Sequence, residues 1–302
     1  MRRALIGVLI LGGLGLAAGL WLTRAQALTE GDLAGLTGDA TQGEMVFYAG
    51  GCASCDAAKD AEGDARLILS GGIGFASEFG TFRAPNISMD PDQGIGAWTF
   101  AQFASAVQRG VSPEGTHYYP VFPYSAYALA EPQDIADLWA FWQTLPASDT
   151  ENLPHEVGFP FSIRRGVGLW KLLYMPDGFT MPADTEPLIR GRYLVEALGH
   201  CAECHTPRDA LGGLDRSRWM AGAPNPSGLG RIPGITPATL DWSETEITQF
   251  LADGFTPEFD VAAGQMALAI LNLAQLPDSD RAAIAAYLKT LPAAEEQSAE
   301  PG

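Results

Sequence analysis

Apolar residues recur with a helical period in two segments of the 302-residue chain. In each segment they follow the i, i+3, i+4, i+7 spacing that places side chains on one face of an α-helix. These residues are Ile135, Leu138, Trp139 and Trp142 in the first segment, and Ile284, Tyr287, Leu288 and Leu291 in the second. No run of alternating apolar and polar residues indicates β-strands. The pattern therefore predicts an all-α fold.

A further helix is predicted upstream of each segment by its end signals. Each begins with a hydroxyl residue followed three positions later by Gln or Glu, which is a capping box, and ends at a glycine. The residues are Thr99, Gln102 and Gly110, and Ser243, Glu246 and Gly254. Long loops rich in Gly and Pro separate the helices. Loops of this length need something to pack around, which favours domains built on a large cofactor.

Four segments of the first half recur in the same order in the second half. Their offset is nearly constant, at 144–149 residues. The pairs are Cys52 and Cys201, Pro85 and Pro233, Trp98 and Trp242, and Asp134 and Asp280. We interpret this as a duplicated domain. The predicted domains are 35–147 and 187–293, with a packed linker at 148–186 and a disordered tail at 294–302.

The first 28 residues have the pattern of a membrane-targeting segment. Arg2 and Arg3 precede the apolar run Ala4–Leu22, whose 19 residues span about 28 Å as a helix, close to the thickness of a bilayer core. The A-x-A sequence at 25–27 leaves cleavage of a signal peptide as an alternative. We favour an uncleaved anchor over residues 1–28 in the bacterial inner membrane, with the rest of the chain in the periplasm.

The charge of the chain excludes one class of partner. It has 36 acidic and 18 basic residues, a net charge of −18 at pH 7. Such a chain is repelled by the phosphates of nucleic acid. The acidity suits an electron carrier that meets a basic patch on its partner, although it also serves solubility alone.

All four cysteines lie in two C-x-x-C units, at 52–55 and 201–204. Histidine follows the second unit and completes C-x-x-C-H, the attachment motif of c-type haem. Cys201 and Cys204 are the predicted thioether residues, and His205 is the predicted proximal ligand of the iron. A thioredoxin-like pair would need a βαβ context, and a zinc site would need two further ligands. The motif therefore predicts covalently bound haem c in the second half.

A low-spin electron carrier needs a second axial ligand on its iron. Met266 lies 61 residues after His205, ahead of the last predicted helix. A thioether opposite imidazole raises the reduction potential and leaves no open position on the iron. Met220 follows the cysteines too closely for this role. We therefore predict His205 and Met266 as the axial ligands.

The sequence resembles the dihaem c-type cytochrome subunits of periplasmic and membrane-bound dehydrogenases that act on alcohols, sugar acids or nicotinate. The resemblance covers nearly all of the chain after residue 35. It is carried by the segments 80–88 (GTFRAPNIS), 94–98 (GIGAW), 117–124 (HYYPVFPY) and 199–208 (GHCAECHTPR). It implies two class-I-like cytochrome c domains in tandem, a dehydrogenase as electron donor, and a cytochrome or oxidase of the respiratory chain as acceptor.

The first half departs from the family pattern at both axial positions. Asp56 stands where the family has histidine, and Phe122 occupies the repeat position of Met266. The family also carries methionine a few residues later, where this chain reads Tyr-Ala-Leu-Ala at 127–130. Both expected iron ligands are therefore missing from the first half.

Three interpretations of the first half remain open. It has lost its haem and serves packing or docking, or it keeps a haem on Cys52 and Cys55 with substitute ligands, or Asp56 reflects a change in the sequence. His117 and Met89 are the candidate substitute ligands. Asp56 itself would be a hard, weak ligand for ferrous iron.

We expect an electron carrier rather than an enzyme, because no pair of residues suggests acid–base catalysis. Two other classes remain as alternatives. One is a haem protein that binds small ligands or catalyses redox chemistry at an open first-half iron, and the other is a structural docking subunit. His200 is expected to be structural, and Arg208 either pairs with a haem propionate or is an ordinary surface charge.

Overall fold

A computed structural model of the chain describes residues 2–226, 228 and 230–293, and most of its regular structure is helical. The helices are α1 Arg2–Leu22, α2 Ala40–Ala49, α3 Cys52–Asp56, α4 Phe100–Arg109, α5 Tyr124–Tyr127, α6 Pro132–Trp142, α7 Gly166–Tyr174, α8 Glu186–Arg192, α9 Ala202–His205, α10 Glu244–Asp253, α11 Gly264–Leu273 and α12 Asp278–Leu288. A π-helical segment, Tyr193–Leu198, continues α8, and 3₁₀ turns occupy Gly63–Leu67 and Arg216–Arg218. The predicted tail at 294–302 lies outside the described residues.

The prediction of an all-α fold was wrong in one respect, because the described residues also form short strands. These are β1 Gly74–Ser77, β2 Gly80–Arg83, β3 Glu156–Val157, β4 Ala223–Pro224 and β5 Arg231–Ile232. They make one antiparallel sheet in the order β1-β2-β3 and a second from β4 and β5. The β1–β2 register runs from Gly74 opposite Arg83 to Ser77 opposite Gly80. Strands of two to four residues are too short for the alternation by which strands are recognised in a sequence.

Both predicted capping boxes are confirmed. Thr99 begins α4 and Ser243 begins α10, and each side chain accepts a hydrogen bond from the backbone N–H three residues later. The helices end at Gly110 (φ 58°) and Gly254 (φ 78°). This left-handed conformation is one that glycine adopts without strain.

A glycine lies at the same helix crossing in each half of the chain. Helix α2 packs on α6, and α8 packs on α12. A Cβ atom on Gly43 would lie 1.9 Å from the carbonyl oxygen of Asp137, and one on Gly191 would lie 2.0 Å from that of Ala283. Only glycine permits backbones to approach this closely.

The loops of the two halves repeat as well. The Ile87 N–H donates to the Leu69 carbonyl at 3.0 Å, and the Ile235 N–H donates to the Met220 carbonyl at 2.9 Å. A single antiparallel bridge follows α4 and another follows α10. The bridges pair Val111 with His117 and Phe255 with Val261. Equivalent positions thus make equivalent contacts.

One apolar core runs through both halves. Its buried members include Phe47 and Ile135 from the first half, and Val195 and Tyr287 from the second. The periodic residues of α6 and α12 belong to this core, as their spacing predicts. The two halves therefore pack against each other through their interiors.

The segment 148–186 packs against both halves, mainly the first, and the Thr180 N–H donates to Glu196 of the second at 2.6 Å. Strand β3 adds to the edge of β2, and Val167 and Gly168 of α7 are buried. The Trp170 ring lies edge-on to that of Tyr124, with centroids 6.3 Å apart. Contacts along its whole length fix this segment on the body of the protein.

Helix α1 is the one described helix that is long and apolar enough to cross a membrane. Its window Leu5–Leu22 has a mean hydropathy of 2.2, and none of it is buried against the rest of the chain. These properties suit a membrane anchor and a signal sequence equally.

Candidate functional site

Helix α9 brings the three residues of the second motif onto one turn. The His205 N–H donates to the Cys201 carbonyl at 3.0 Å, which closes a regular helical turn. Residues three and four apart lie on the same face of a helix. Cys201, Cys204 and His205 therefore present two sulfurs and an imidazole to the same side.

The tautomer of His205 is fixed by a backbone carbonyl. Its Nδ1 lies 2.7 Å from the oxygen of Pro233. A carbonyl can only accept, so Nδ1 carries the proton and Nε2 keeps its lone pair. Burial lowers the pKa of His205, although the bond to Pro233 opposes this. The imidazole is thus held neutral with Nε2 free to bind a metal, the arrangement that orients ligating histidines.

The thiols of the second motif lie in an environment unlike that of a zinc or redox pair. Burial raises the pKa of Cys201 to about 12 and also raises that of Cys204. Zinc-binding and thioredoxin-like cysteines have lowered pKa values because they act as thiolates. No cluster of three or more His, Cys, Asp or Glu suited to a metal ion occurs among the described residues. The apolar setting suits neutral thioethers.

Met266 and Trp219 share the apolar cluster to which Cys201 belongs. Met266 lies in the first turn of α11 and is half-buried against that cluster. The Nε1–H of Trp219 is buried without a hydrogen-bond partner. Buried donors are nearly always paired, so this one suits an acidic group of a bound cofactor. Two thiols, a neutral imidazole, a thioether and an orphan donor together fit haem c.

The first motif has a similar backbone to the second but carries Asp56 at the position of His205. Its Asp56 carbonyl accepts from Gly71 N–H at 2.8 Å, as the His205 carbonyl accepts from Gly222 N–H at 2.8 Å. Pro85 corresponds to Pro233, but Asp56 makes no hydrogen bond to its carbonyl of the kind that His205 makes to Pro233. The Asp56 side chain makes no hydrogen bond among the described residues, and burial raises its pKa to about 7.

Aromatic rings fill the first half where a methionine is expected. Phe122 packs with Tyr127 at a ring-centroid distance of 6.0 Å. Tyr127 is buried, and its hydroxyl donates to the Gly50 carbonyl at 2.8 Å. Burial, followed by the charges of the neighbouring Cys52 and Cys55, raises the Tyr127 pKa well above its usual value.

Comparison with known proteins identifies the family to which the chain belongs. The cytochrome c family model matches residues 189–292, which hold C-x-x-C-H and Met266. A protein named diheme cytochrome c-type, from Cereibacter sphaeroides, is 57% identical over 296 residues, which is 98% of this chain and the whole of that protein. This chain belongs to the dihaem c-type cytochromes.

Further relatives of the cytochrome are cytochrome subunits of dehydrogenases. The fructose dehydrogenase cytochrome subunit of Gluconobacter japonicus is 36% identical over 265 residues, 85% of this chain and 53% of that protein. The gluconate 2-dehydrogenase cytochrome c subunit of Pantoea cypripedii is 32% identical over 270 residues, 83% of this chain and 59% of that protein. The cytochrome thus spans little more than half the length of these two relatives. Their names do not favour a small-ligand-binding haem protein.

Neither candidate substitute ligand forms a hydrogen bond with Asp56 among the described residues. His117 is buried against the linker, where its Nε2 lies 3.0 Å from the Thr23 carbonyl. Met89 packs at the edge of the apolar core. Arg208, whose charge could pair with a haem propionate, forms an ion pair with Glu203 at 2.5 Å.

The two cysteine motifs of the cytochrome contact each other's halves reciprocally. Ser54, between Cys52 and Cys55, donates its hydroxyl to the Leu268 carbonyl of α11 at 3.1 Å. Ser125 of α5 donates to the carboxylate of Glu203, between Cys201 and Cys204, at 3.0 Å. In each C-x-x-C motif, the third residue thus forms a hydrogen bond with a helix of the other half. That helix is the one that follows the isolated β-bridge, namely α11 for Ser54 and α5 for Glu203.

His200 lies at this junction, and its ring packs edge-on to Tyr127 with centroids 5.6 Å apart. This agrees with the structural role expected of it. The Pro233 carbonyl and the Trp219 donor were not predicted. The recurrence of Pro85 as Pro233 in the repeat was a signal for the carbonyl, whereas no sequence pattern indicated the Trp219 donor.

Proposed function

We propose that the cytochrome carries single electrons in the periplasm through one haem c in residues 187–293. Cys201 and Cys204 would hold the haem as thioethers, and His205 and Met266 would be the axial ligands. The observation that carries this proposal is the hydrogen bond from His205 Nδ1 to Pro233, because it presents the Nε2 lone pair beside two cysteines.

Haem c, when bound, supplies an iron that alternates between the ferric and ferrous states. His205 and Met266 would give that iron two neutral ligands, and neither residue would gain or lose a proton on electron transfer. With both residues bound, no position on the iron would remain for water or substrate. The site is therefore suited to electron transfer and unsuited to catalysis at the metal.

We propose that residues 35–147 form a degenerate cytochrome c domain in tandem with the haem-binding domain at 187–293. The packed linker 148–186 joins the two domains. Its Cys52 and Cys55 retain the attachment spacing, but Asp56 and Phe122 supply no imidazole or thioether. The repeated glycine crossings, capping boxes and loop hydrogen bonds support the duplication.

The relatives support a proposal for the partners. We propose a dehydrogenase as electron donor and a periplasmic cytochrome or an oxidase as acceptor, with α1 retained as an anchor in the inner membrane. The net charge of −18 would favour a basic docking surface on a partner.

The deciding experiment is the number of covalent haems per polypeptide, measured as pyridine haemochrome against protein mass after expression with the c-type maturation machinery. One haem is expected. A Cys201→Ser/Cys204→Ser variant should lose it, and the matched Cys52→Ser/Cys55→Ser variant should keep it. Two haems in the unaltered chain would show that the first half binds haem without its usual ligands.

The axial assignment has its own test. Met266→Ala should remove the sulfur-to-iron absorption band, lower the reduction potential and allow the ferrous protein to bind carbon monoxide. Met89→Ala is the matched control and should change none of these. A band that persists in Met266→Ala would exclude Met266 as the ligand.

A further inference from the structure

Six large apolar side chains are exposed within residues 159–173 of the linker. Their exposed fractions run from 48% to 84%, in a segment that is otherwise fixed on the body of the protein. They are Phe159, Phe161, Ile163, Leu169, Leu172 and Leu173. Concentrated exposure of this kind on an ordered surface is typical of a contact with another body rather than with water.

The inward side of α7 is already occupied, so this exposure is not a loosely packed helix. The Lys171 ammonium donates to the carbonyls of Arg109 and Gly110, at 2.5 and 2.8 Å. The Tyr174 hydroxyl donates to Asp209 at 2.6 Å. With these groups fixed inward, the leucines at 169, 172 and 173 form the opposite face.

The same helix contacts the end of the candidate membrane span. A Cβ atom on Gly168 would lie 2.2 Å from the carbonyl oxygen of Thr23, the residue that follows α1. Arg165 Nε donates to the Thr23 hydroxyl at 3.3 Å, and its guanidinium also donates to the Leu20 carbonyl. Helix α7 is therefore joined to α1 where α1 would leave the hydrocarbon.

This contact fixes the depth of the exposed leucines. Leu172 lies four residues from Gly168, which is about 6 Å along a helix. Each polar interfacial layer of a bilayer is about 5–8 Å thick. With α1 across the membrane, Leu172 therefore lies within about 6 Å of the level at which α1 leaves the hydrocarbon, whichever way α7 runs.

The charge of the segment fits the same surface. Residues 158–176 contain no acidic residue, in a chain of net charge −18. Arg165 is exposed in this segment and Arg164 is half-buried, whereas Lys171 faces inward. An apolar face with basic residues and aromatics is the composition of segments that lie in a membrane interface. The acidic remainder of the chain would be repelled by anionic lipids.

We propose that the surface formed by residues 159–173 lies in the periplasmic leaflet of the lipid bilayer, with Leu169, Leu172 and Leu173 inserted among the phospholipids. The depth argument rests on the proposed retention of α1 as an anchor. The surface then holds the first half against the membrane as a second attachment and fixes the orientation of the cytochrome above it.

The test places the photocrosslinking residue p-benzoylphenylalanine at position 172 of the full-length holoprotein, in nanodiscs of phosphatidylcholine and phosphatidylglycerol. The matched control is position 271, a leucine of α11 that is 48% exposed against 55% for Leu172. Phospholipid adducts, counted by mass spectrometry after irradiation, should be about tenfold more abundant at 172 than at 271. Position 169 provides a second variant, and an unchanged visible spectrum shows that each variant is folded.

Three outcomes of the crosslinking would refute the proposal. Absence of adducts at both 172 and 169 would show that this surface does not contact lipid. Equal adduct yields at 172 and 271 would show that the contact is not specific to this surface. A crosslinked dimer in place of a lipid adduct would assign the surface to a second copy of the chain. The intact mass of the same samples reports separately on the anchor: loss of residues 1–27 with adducts still at 172 would refute the anchor and leave the lipid contact standing.

Discussion

Asp56 is a half-buried carboxyl with no hydrogen-bond partner among the described residues, and removal of its charge should stabilise the protein. The residue ends α3, is half-buried and makes no hydrogen bond among the described residues. Burial alone raises its pKa from 3.8 to about 7. The substitution Asp56→Asn keeps the shape of the side chain and removes the charge.

The size and sign of the effect follow from this pKa. A group that binds its proton more tightly in the folded state stabilises the fold fully below pH 3.8, and this contribution is lost as the pH rises through about 7. A rise of about 3 pH units at about 1.4 kcal/mol per unit gives an upper bound of about 4 kcal/mol. Because the side chain is partly open to solvent, we expect Asp56→Asn to stabilise the protein by about 2 kcal/mol at pH 8.

The assay is urea unfolding followed by circular dichroism at pH 5 and pH 8, with the haem content of each sample measured first. The gain from Asp56→Asn should be clearly larger at pH 8 than at pH 5. Asp177→Asn, at an exposed position, is the control and should show little effect at either pH. An equal gain at both pH values, or a loss at pH 8, would refute the assignment of Asp56 as a half-buried carboxyl without a hydrogen-bond partner.

Three further substitutions test the second half. His205→Asp gives the second motif the aspartate that the first motif has, and it should reduce covalent haem to near zero in the haemochrome assay. Normal haem loading would show that aspartate at this position does not prevent attachment. Gly191→Ala should destabilise the fold by about 2–4 kcal/mol in urea, because its Cβ would lie 2.0 Å from the Ala283 carbonyl oxygen; a loss below about 1 kcal/mol would mean that the helices separate easily. Tyr287→Phe should cost about 1–3 kcal/mol, because the buried Glu196 loses the hydroxyl that donates to it, and a neutral result would show that water replaces that donor.

Much of the helical framework could be predicted because its signals are local. The capping boxes at Thr99 and Ser243 and the periodic faces of α6 and α12 need only neighbouring residues to be recognised. The strands could not be predicted, since they are held by hairpin turns and by the linker rather than by their own sequence. Strand β3, for example, has two residues and exists because β2 lies beside it.

The chemistry of the site divides in the same way. C-x-x-C-H is a contiguous motif, so Cys201, Cys204 and His205 could be named from the sequence. The Pro233 carbonyl lies 28 residues from His205, and a backbone atom leaves no side-chain signature. The burial that raises the pKa of Asp56 likewise depends on the packing of the whole first half.

The reciprocal contacts have a consequence for how this chain can evolve. Ser54 receives the side-chain N–H of Asn272 at 2.7 Å and donates to Leu268, so the first motif buttresses α11, on which Met266 lies. On the proposed function, the first half would hold no iron and would still be constrained in shape by these contacts. A substitution near Cys52 or Cys55 would then alter the position of Met266 without removing any iron ligand.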